Sequence, residues 1–106
     1  MDKETIRIAK EFVKKIKKKY SPVQVILFGS RARGDNFKKS DFDFIIISDY
    51  FKDKKFIYRA SDLYDYWDYS FDFEPLCYTS EEFERKKKQR GIVQQALKEG
   101  IEITAV

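Results

Sequence analysis

A handful of residues carry the types and spacing that could do chemistry in this chain, and they fall in three places. Asp41-Phe42-Asp43 opens the apolar run Phe44-Ile45-Ile46-Ile47. Side chains of a strand alternate, so the two carboxylates share a face at about 6.6 Å from one another. At that separation they can share metal ions lying about 3.5–4 Å apart. Phe42 and Phe44 then turn to the opposite face as anchors, while the acidic face continues into Ile45 and Ile47. Acids are poor strand formers, and two of them beside a buried run need a reason. Asp72 sits between Phe71 and Phe73, and Glu74 faces the same way as its rival for a third-carboxylate role. Upstream, Gly29-Ser30 ends another apolar run. Glycine there lets a ligand approach the backbone, and Ser30 stands at the start of a short helix, a position that favours phosphate. Arg31 and Arg33 are fork-shaped donors suited to phosphate oxygens. Taken singly, the motif Gly29-Ser30-x-x-x-Gly34 also reads as a turn, Asp41 and Asp43 as a polar strand entry, and Asp72 as a solvent-facing residue.

Composition narrows the chemistry. The 106 residues contain no histidine and one cysteine, Cys77. Histidine bases, Ser-His and Cys-His dyads and His-ligated zinc are therefore excluded, as is a thiolate cluster or disulfide within one chain. A metal site must be built from carboxylate oxygens, which select Mg²⁺, Mn²⁺ or Ca²⁺. The hydrophobic share of 42% and aromatic share of 17% call for a globular fold rather than a disordered one. A chain of this length buries roughly 65% of its unfolded surface, enough for one core, so residues 1–106 are expected to form a single domain. No apolar run is long enough for a bilayer, and Met1-Asp2-Lys3-Glu4 is unlike a signal peptide. A cytoplasmic location with no membrane partner fits. The formal charge of +4 comes with basic clusters at Lys14–Lys19 and Arg85–Arg90, which read as solvated helix faces or as a nucleic-acid surface.

The elements that must position these residues follow from periodicity. Residues 3–20 predict an amphipathic helix with Ile6, Ala9, Val13, Ile16 and Tyr20 on its apolar stripe, stopped by Ser21-Pro22. Val23–Phe28 predicts a strand covered on both faces. Arg31–Arg33 could begin a short helix, Gly34–Lys39 is a polar loop, and Asp41–Ser48 is the second strand. Phe51–Trp67 predicts a helix with Ile57, Ala60, Leu63, Tyr64 and Trp67 inward. Phe71–Cys77 is a third strand, with Pro75 placing it at an edge or bulge. Thr79-x-x-Glu82 is a capping box opening a helix that Gly91 divides. Gly100 stands where a C-cap glycine belongs, and Ile101–Val106 is a last strand. The expected fold is a small α/β (α+β) domain.

Together, Leu27-Phe28-Gly29-Ser30-Arg31-Ala32-Arg33-Gly34 and Ser40-Asp41-Phe42-Asp43-Phe44-Ile45 resemble the signature of the DNA polymerase β-like nucleotidyltransferases. The Gly-Ser-Arg-Ala-Arg-Gly form is especially similar to their minimal bacterial and archaeal members. The resemblance runs from about Val23 to Thr79. It implies the palm of that superfamily, a small mixed sheet flanked by helices. It also implies two Mg²⁺ ions held by Asp41 and Asp43, with Asp72 joining the metal beside the acceptor. Gly29 and Ser30 would hold the triphosphate of ATP or another nucleotide, with Arg31 and Arg33 in support. The reaction would be attack by a hydroxyl on the α-phosphorus with pyrophosphate leaving.

Larger relatives add domains for base and acceptor that nothing in these residues supplies. Minimal members are commonly paired with a helical HEPN-type partner. The resemblance thus implies a toxin–antitoxin module in which this chain, as antitoxin, adenylylates a tyrosine of the HEPN ribonuclease, masks it, or both. The aromatic segment Tyr64, Tyr66, Trp67, Tyr69, Phe71 reads either as part of such an interface or as core packing. Two other readings stand beside the enzyme: a binding antitoxin whose catalysis is dispensable, and a nucleic-acid-binding module using the Lys-rich helices.

Overall fold

The computed structural model describes residues 1–104, and each long element follows from a local pattern. Helix α1, Lys3–Tyr20, starts where the Asp2 side chain accepts the Thr5 amide at 2.7 Å. Its buried stripe is Thr5, Ile8, Ala9, Phe12, Val13, Ile16 and Tyr20. Ile6 lies at the margin rather than in the stripe, and Phe12 supplies the central ring instead. The helix stops at Ser21, which the following proline holds extended. Strand β1, Val23–Phe28, leads through Gly29 into α2, Ser30–Arg33. Strand β2 is Phe42–Ser48, so Asp41 stands one residue before it.

The predicted helix Phe51–Trp67 is broken up. Asp49–Phe51 forms a 3₁₀ turn, the charged segment Lys52–Lys55 is a turn, α3 runs only over Phe56–Leu63, and Tyr64–Tyr66 is a second 3₁₀ turn. The inner stripe changes with it. Ile57 is 74% exposed and Tyr64 52%, while Arg59 and Leu63 point inward. Arg59 can be buried because its guanidinium donates to the Glu82 carboxylate and to the Lys54 and Cys77 carbonyls. A paired, fully hydrogen-bonded cation tolerates burial where a lone one does not.

Strand β3 is Phe73–Tyr78, beginning two residues later and ending one later than expected, because Trp67 donates to the Phe71 carbonyl and folds residues 67–72 into a loop. Asp72 therefore precedes the strand, although its carbonyl accepts the Phe42 amide at 2.9 Å. Helix α4, Ser80–Lys87, opens with the complete capping box of Thr79 and Glu82. Gly91 starts α5, Ile92–Glu99. Strand β4 is limited to Ile101–Glu102, with the Ile103 amide also bonded to the Val25 carbonyl. Ala105 and Val106, at the end of the expected last strand, lie outside the described residues.

The sheet order is β3-β2-β1-β4, with β2 and β3 parallel and the other pairs antiparallel. Period-two alternation sends Val25, Leu27, Phe42, Phe44, Ile46, Phe73 and Cys77 towards α1. Ile26, Phe28, Ile45, Ile47 and Tyr78 face Phe83, Val93 and Ala96 of α4 and α5. Both central strands are thus covered on both faces, and Pro75 sits on the edge strand as its missing amide requires. The aromatic run is mostly core: Trp67 stacks on Phe73 at 4.7 Å and meets the Phe12 ring edge-on at 5.4 Å. Of its members Tyr64 alone is exposed, and its hydroxyl still donates to the Phe73 carbonyl.

Candidate active site

Asp43 is the centre of the site. It lies on β2 opposite Phe28 of β1 on one side and Glu74 of β3 on the other. Its neighbours on the alternating pattern, Ile45 and Ile47, belong to the core under α4 and α5, so Asp43 marks where that face opens to solvent. Gly29 follows Phe28 with φ +77°, and a Cβ there would run into the Asp43 carboxylate. The glycine is needed twice over, for its backbone angle and for the space the acid occupies.

The electrostatics are those of crowded acids. Burial first, then the charge and hydrogen bonding of Glu74, then the charge of Asp41, push the Asp43 carboxyl up to about 6; Arg33 acts weakly in the other direction. Asp41 is half-buried at the mouth of the strand. The structure brings Glu74 rather than Asp72 beside Asp43, because the parallel register pairs residue 43 with 74. Asp72 is exposed and helps line a different cavity with Glu4, Lys38, Lys39, Ser70 and Phe71. The third carboxylate expected at Asp72 is thus not part of the group at Asp43.

The two arginines part company. Arg31 is 1% exposed, with its guanidinium 4.2 Å from the Phe42 ring centre and 4.6 Å from that of Phe71. It donates to the Thr5 hydroxyl and to the carbonyls of Lys38 and Ser40. Its donors tie the loop after α2 to α1, and the structure does not bring them to the carboxylates. Arg33 is the arginine at the site, held by Asp35 and by both oxygens of Glu99. Ser30 is half-buried, and its side chain has no hydrogen-bond partner among the described residues.

Glu99 escaped the sequence reading. From the end of α5 it accepts the Gly29 amide at 3.3 Å as well as Arg33. The one signal was Gly100 beside it. That glycine is extended, not left-handed, and what it supplies is closeness: a Cβ there would press on the Ala96 carbonyl and the Ile26 side chain.

Among the described residues no three acidic or cysteine side chains stand gathered as a ready-made metal cage. The donor set still fits a hard cation. Mg²⁺ is commonly held by one or two carboxylates, with waters and substrate phosphates completing its shell. Asp43, crowded by Glu74 and Asp41, is where a divalent cation would relieve repulsion. Cys77, buried with its thiol pushed up to about 12, takes no part. No helix among the described residues is long and apolar enough to cross a membrane.

A crystal structure from Sulfolobus solfataricus, assigned as a candidate nucleotidyltransferase, is similar in fold with a TM-score of 0.61. The match has 25% identity and covers 77% of this chain and 73% of that one. The BolA domain of SufE1 from Arabidopsis thaliana shares the fold at TM-score 0.52 and 20% identity, over 77% of this chain and 98% of that one. No curated protein sequence matches the chain significantly. The nucleotidyltransferase domain family matches residues 9–103, a span that contains Gly29, Ser30, Asp41, Asp43 and Glu74, and the chain belongs to that family.

Proposed function

We propose that this chain is a Mg²⁺-dependent transferase that moves AMP from ATP to a hydroxyl of a protein partner. The observation that carries the reading is the contact of Asp43 with Gly29. An acid whose proton affinity is raised by burial and by two neighbouring acids packs against the side-chain-free backbone of Gly29. Asp41 and Asp43 would hold the metal, and Glu74 takes the third-carboxylate role in place of Asp72. Bound Mg²⁺ supplies charge neutralisation on the phosphates and a lowered pKa for the attacking hydroxyl. The side-chain-free backbone at Gly29 would lie against the triphosphate beside Asp43, with Ser30 offering its hydroxyl and Arg33 balancing phosphate charge. The hydroxyl oxygen bonds to the α-phosphorus, the bond to pyrophosphate breaks, and the hydroxyl proton leaves towards the Glu74 side of the site.

Resemblance to the minimal nucleotidyltransferases supports the rest. The acceptor is a tyrosine of a HEPN-type ribonuclease, and the chain serves as its antitoxin. The test is transfer of label from α-labelled ATP to the co-purified partner, with Asp43→Asn as the control. Mg²⁺-dependent labelling of one tyrosine, lost in the variant, is expected. An Asp43→Asn chain that still labels the partner would refute the mechanism, and one that neutralises it in cells without labelling would make catalysis dispensable.

A further inference from the structure

The flank of the sheet away from Gly29 holds a second cavity, of about 620 Å³, which falls in the range of ligand pockets. Its floor is Phe56, Leu76 and Tyr78, and Arg85, Lys86 and Gln89 of α4 and the segment after it form the rim. Strand β3 links it to the carboxylates. Glu74, Leu76 and Tyr78 alternate on one face, in register with Asp43, Ile45 and Ile47. The floor therefore begins about 6.6 Å from Glu74 and extends to about 13 Å along the strand. The order β3-β2-β1 places the Gly29 turn on the opposite side of Asp43. A nucleotide lying by Gly29 leaves this flank to the other reactant.

The lining specifies what it takes. Glu82 also lines the cavity, but its carboxylate is bound to Arg59. Arg85 and Lys86 have no acidic partner among the described residues, so the rim carries uncompensated positive charge over an apolar floor. Phe56 and Tyr78 pack on each other with centroids 5.5 Å apart, leaving no slot between their rings for a base. The outer edge of β3 is closed as well. Arg59 donates to the Cys77 carbonyl and Tyr64 to that of Phe73, so α3 and the 3₁₀ turn after it occupy the groups a strand-adding peptide would need.

The geometry points to this cavity as the docking pocket for the acceptor protein, which enters with an acidic segment carrying aromatic or aliphatic side chains. The assignment rests on the nucleotidyl-transfer reading for which reactant docks there, while the chemistry of the ligand comes from the lining alone. Docking by side chains holds the acceptor hydroxyl near Glu74 without strand pairing.

A soluble random copolymer of glutamate and tyrosine serves as the probe, read by fluorescence anisotropy and by shifts of the Leu76 methyl signals. The full chain should bind it, lose at least tenfold in affinity when Arg85 and Lys86 are replaced together by Gln, and show Leu76 shifts on addition. Both arginine and lysine are exposed, so the R85Q/K86Q chain should fold, as far-UV circular dichroism will show. Equal binding by the two chains, or shifts that miss Leu76, overturns the assignment. So does a single-stranded RNA that moves Leu76 where the copolymer does not. Binding of a non-hydrolysable ATP analogue with Mg²⁺ separates the two claims. A chain that takes the analogue but not the copolymer loses the docking pocket. A chain that takes the copolymer but not the analogue loses the nucleotidyl-transfer reading, and the cavity stands as an acidic-peptide site.

Discussion

Glu99 holds Arg33 with both carboxylate oxygens, at 3.0 and 3.1 Å, and reaches it from the far end of the chain. The same carboxylate accepts the Gly29 amide, so an internal anion engages the donors that flank Asp43. A polyphosphate arriving there must compete with it. Replacing Glu99 by Gln removes the negative charge while keeping the length. The expected result is several-fold tighter binding of inorganic tripolyphosphate by calorimetry at low salt. The stability cost should be small, within about 1 kcal/mol, because Arg33 is half-exposed and the Gln oxygen can still accept the Gly29 amide. Unchanged or weaker binding would mean that Glu99 does not compete with phosphate.

Asp43 makes the metal-free chain sensitive to pH. Its native carboxyl, pushed up to about 6, titrates above the unfolded value of about 4. In that window the native state binds more protons than the unfolded state, so stability falls as pH rises from about 4 through about 6. Its favourable share is complete below that window and gone above it. Asp43→Asn should therefore melt a few degrees higher than the unsubstituted chain at pH 7.5 in EDTA, and the difference should vanish near pH 4. Mg²⁺ should stabilise the unsubstituted chain and leave the variant unmoved. Melting curves across pH with and without Mg²⁺ check both points, and a variant less stable at pH 7.5 contradicts them.

Arg59 is the structural counterpart. It is 4% exposed and joins α3 to the cap of α4 through Glu82 and to β3 through Cys77. Arg59→Ala leaves two carbonyls and a carboxylate without their partner, a loss of roughly 3 kcal/mol. Arg59→Lys should recover only part of it, because an ammonium cannot reproduce the fork. Urea denaturation measures both, and a loss under about 1 kcal/mol for the alanine variant would show that Arg59 is not a joint of the fold.

Where the sequence was readable, local rules sufficed. The period of α1, the apolar runs of β1 and β2, and the capping box at Thr79 all depend on residues within a turn or two of one another. So does the Gly29 turn. Other features depend on distant partners. Apolar periodicity pointed Ile57 and Tyr64 inward, but Arg59 takes the inner face because Glu82, 23 residues on, satisfies it. Arg31 and Arg33 look alike in sequence, yet a spacing of two on a helix sends one into the core and the other to the surface. Glu99 is 70 residues from Gly29, and no local pattern could join them.

The choice between Asp72 and Glu74 shows what register adds, because alternation gives both the same face. The pairing of residue 43 with 74 breaks the tie, and Glu74 is the acid whose charge and hydrogen bond raise Asp43. Removing it has two consequences with one cause. Glu74→Gln should bring the Asp43 carboxyl down towards its ordinary range, since the charge opposing its ionisation is gone. It should also cut nucleotidyl transfer by at least 100-fold if Glu74 steadies the acceptor side. Asp72→Asn should leave both within a few-fold, because Asp72 opens onto the cavity by Lys38 and Lys39. Carboxyl NMR titration of Asp43 and label transfer, measured on both variants, make the comparison. A chain crippled by Asp72→Asn and spared by Glu74→Gln would return the third carboxylate to Asp72, and the site would then have to reorganise on binding metal.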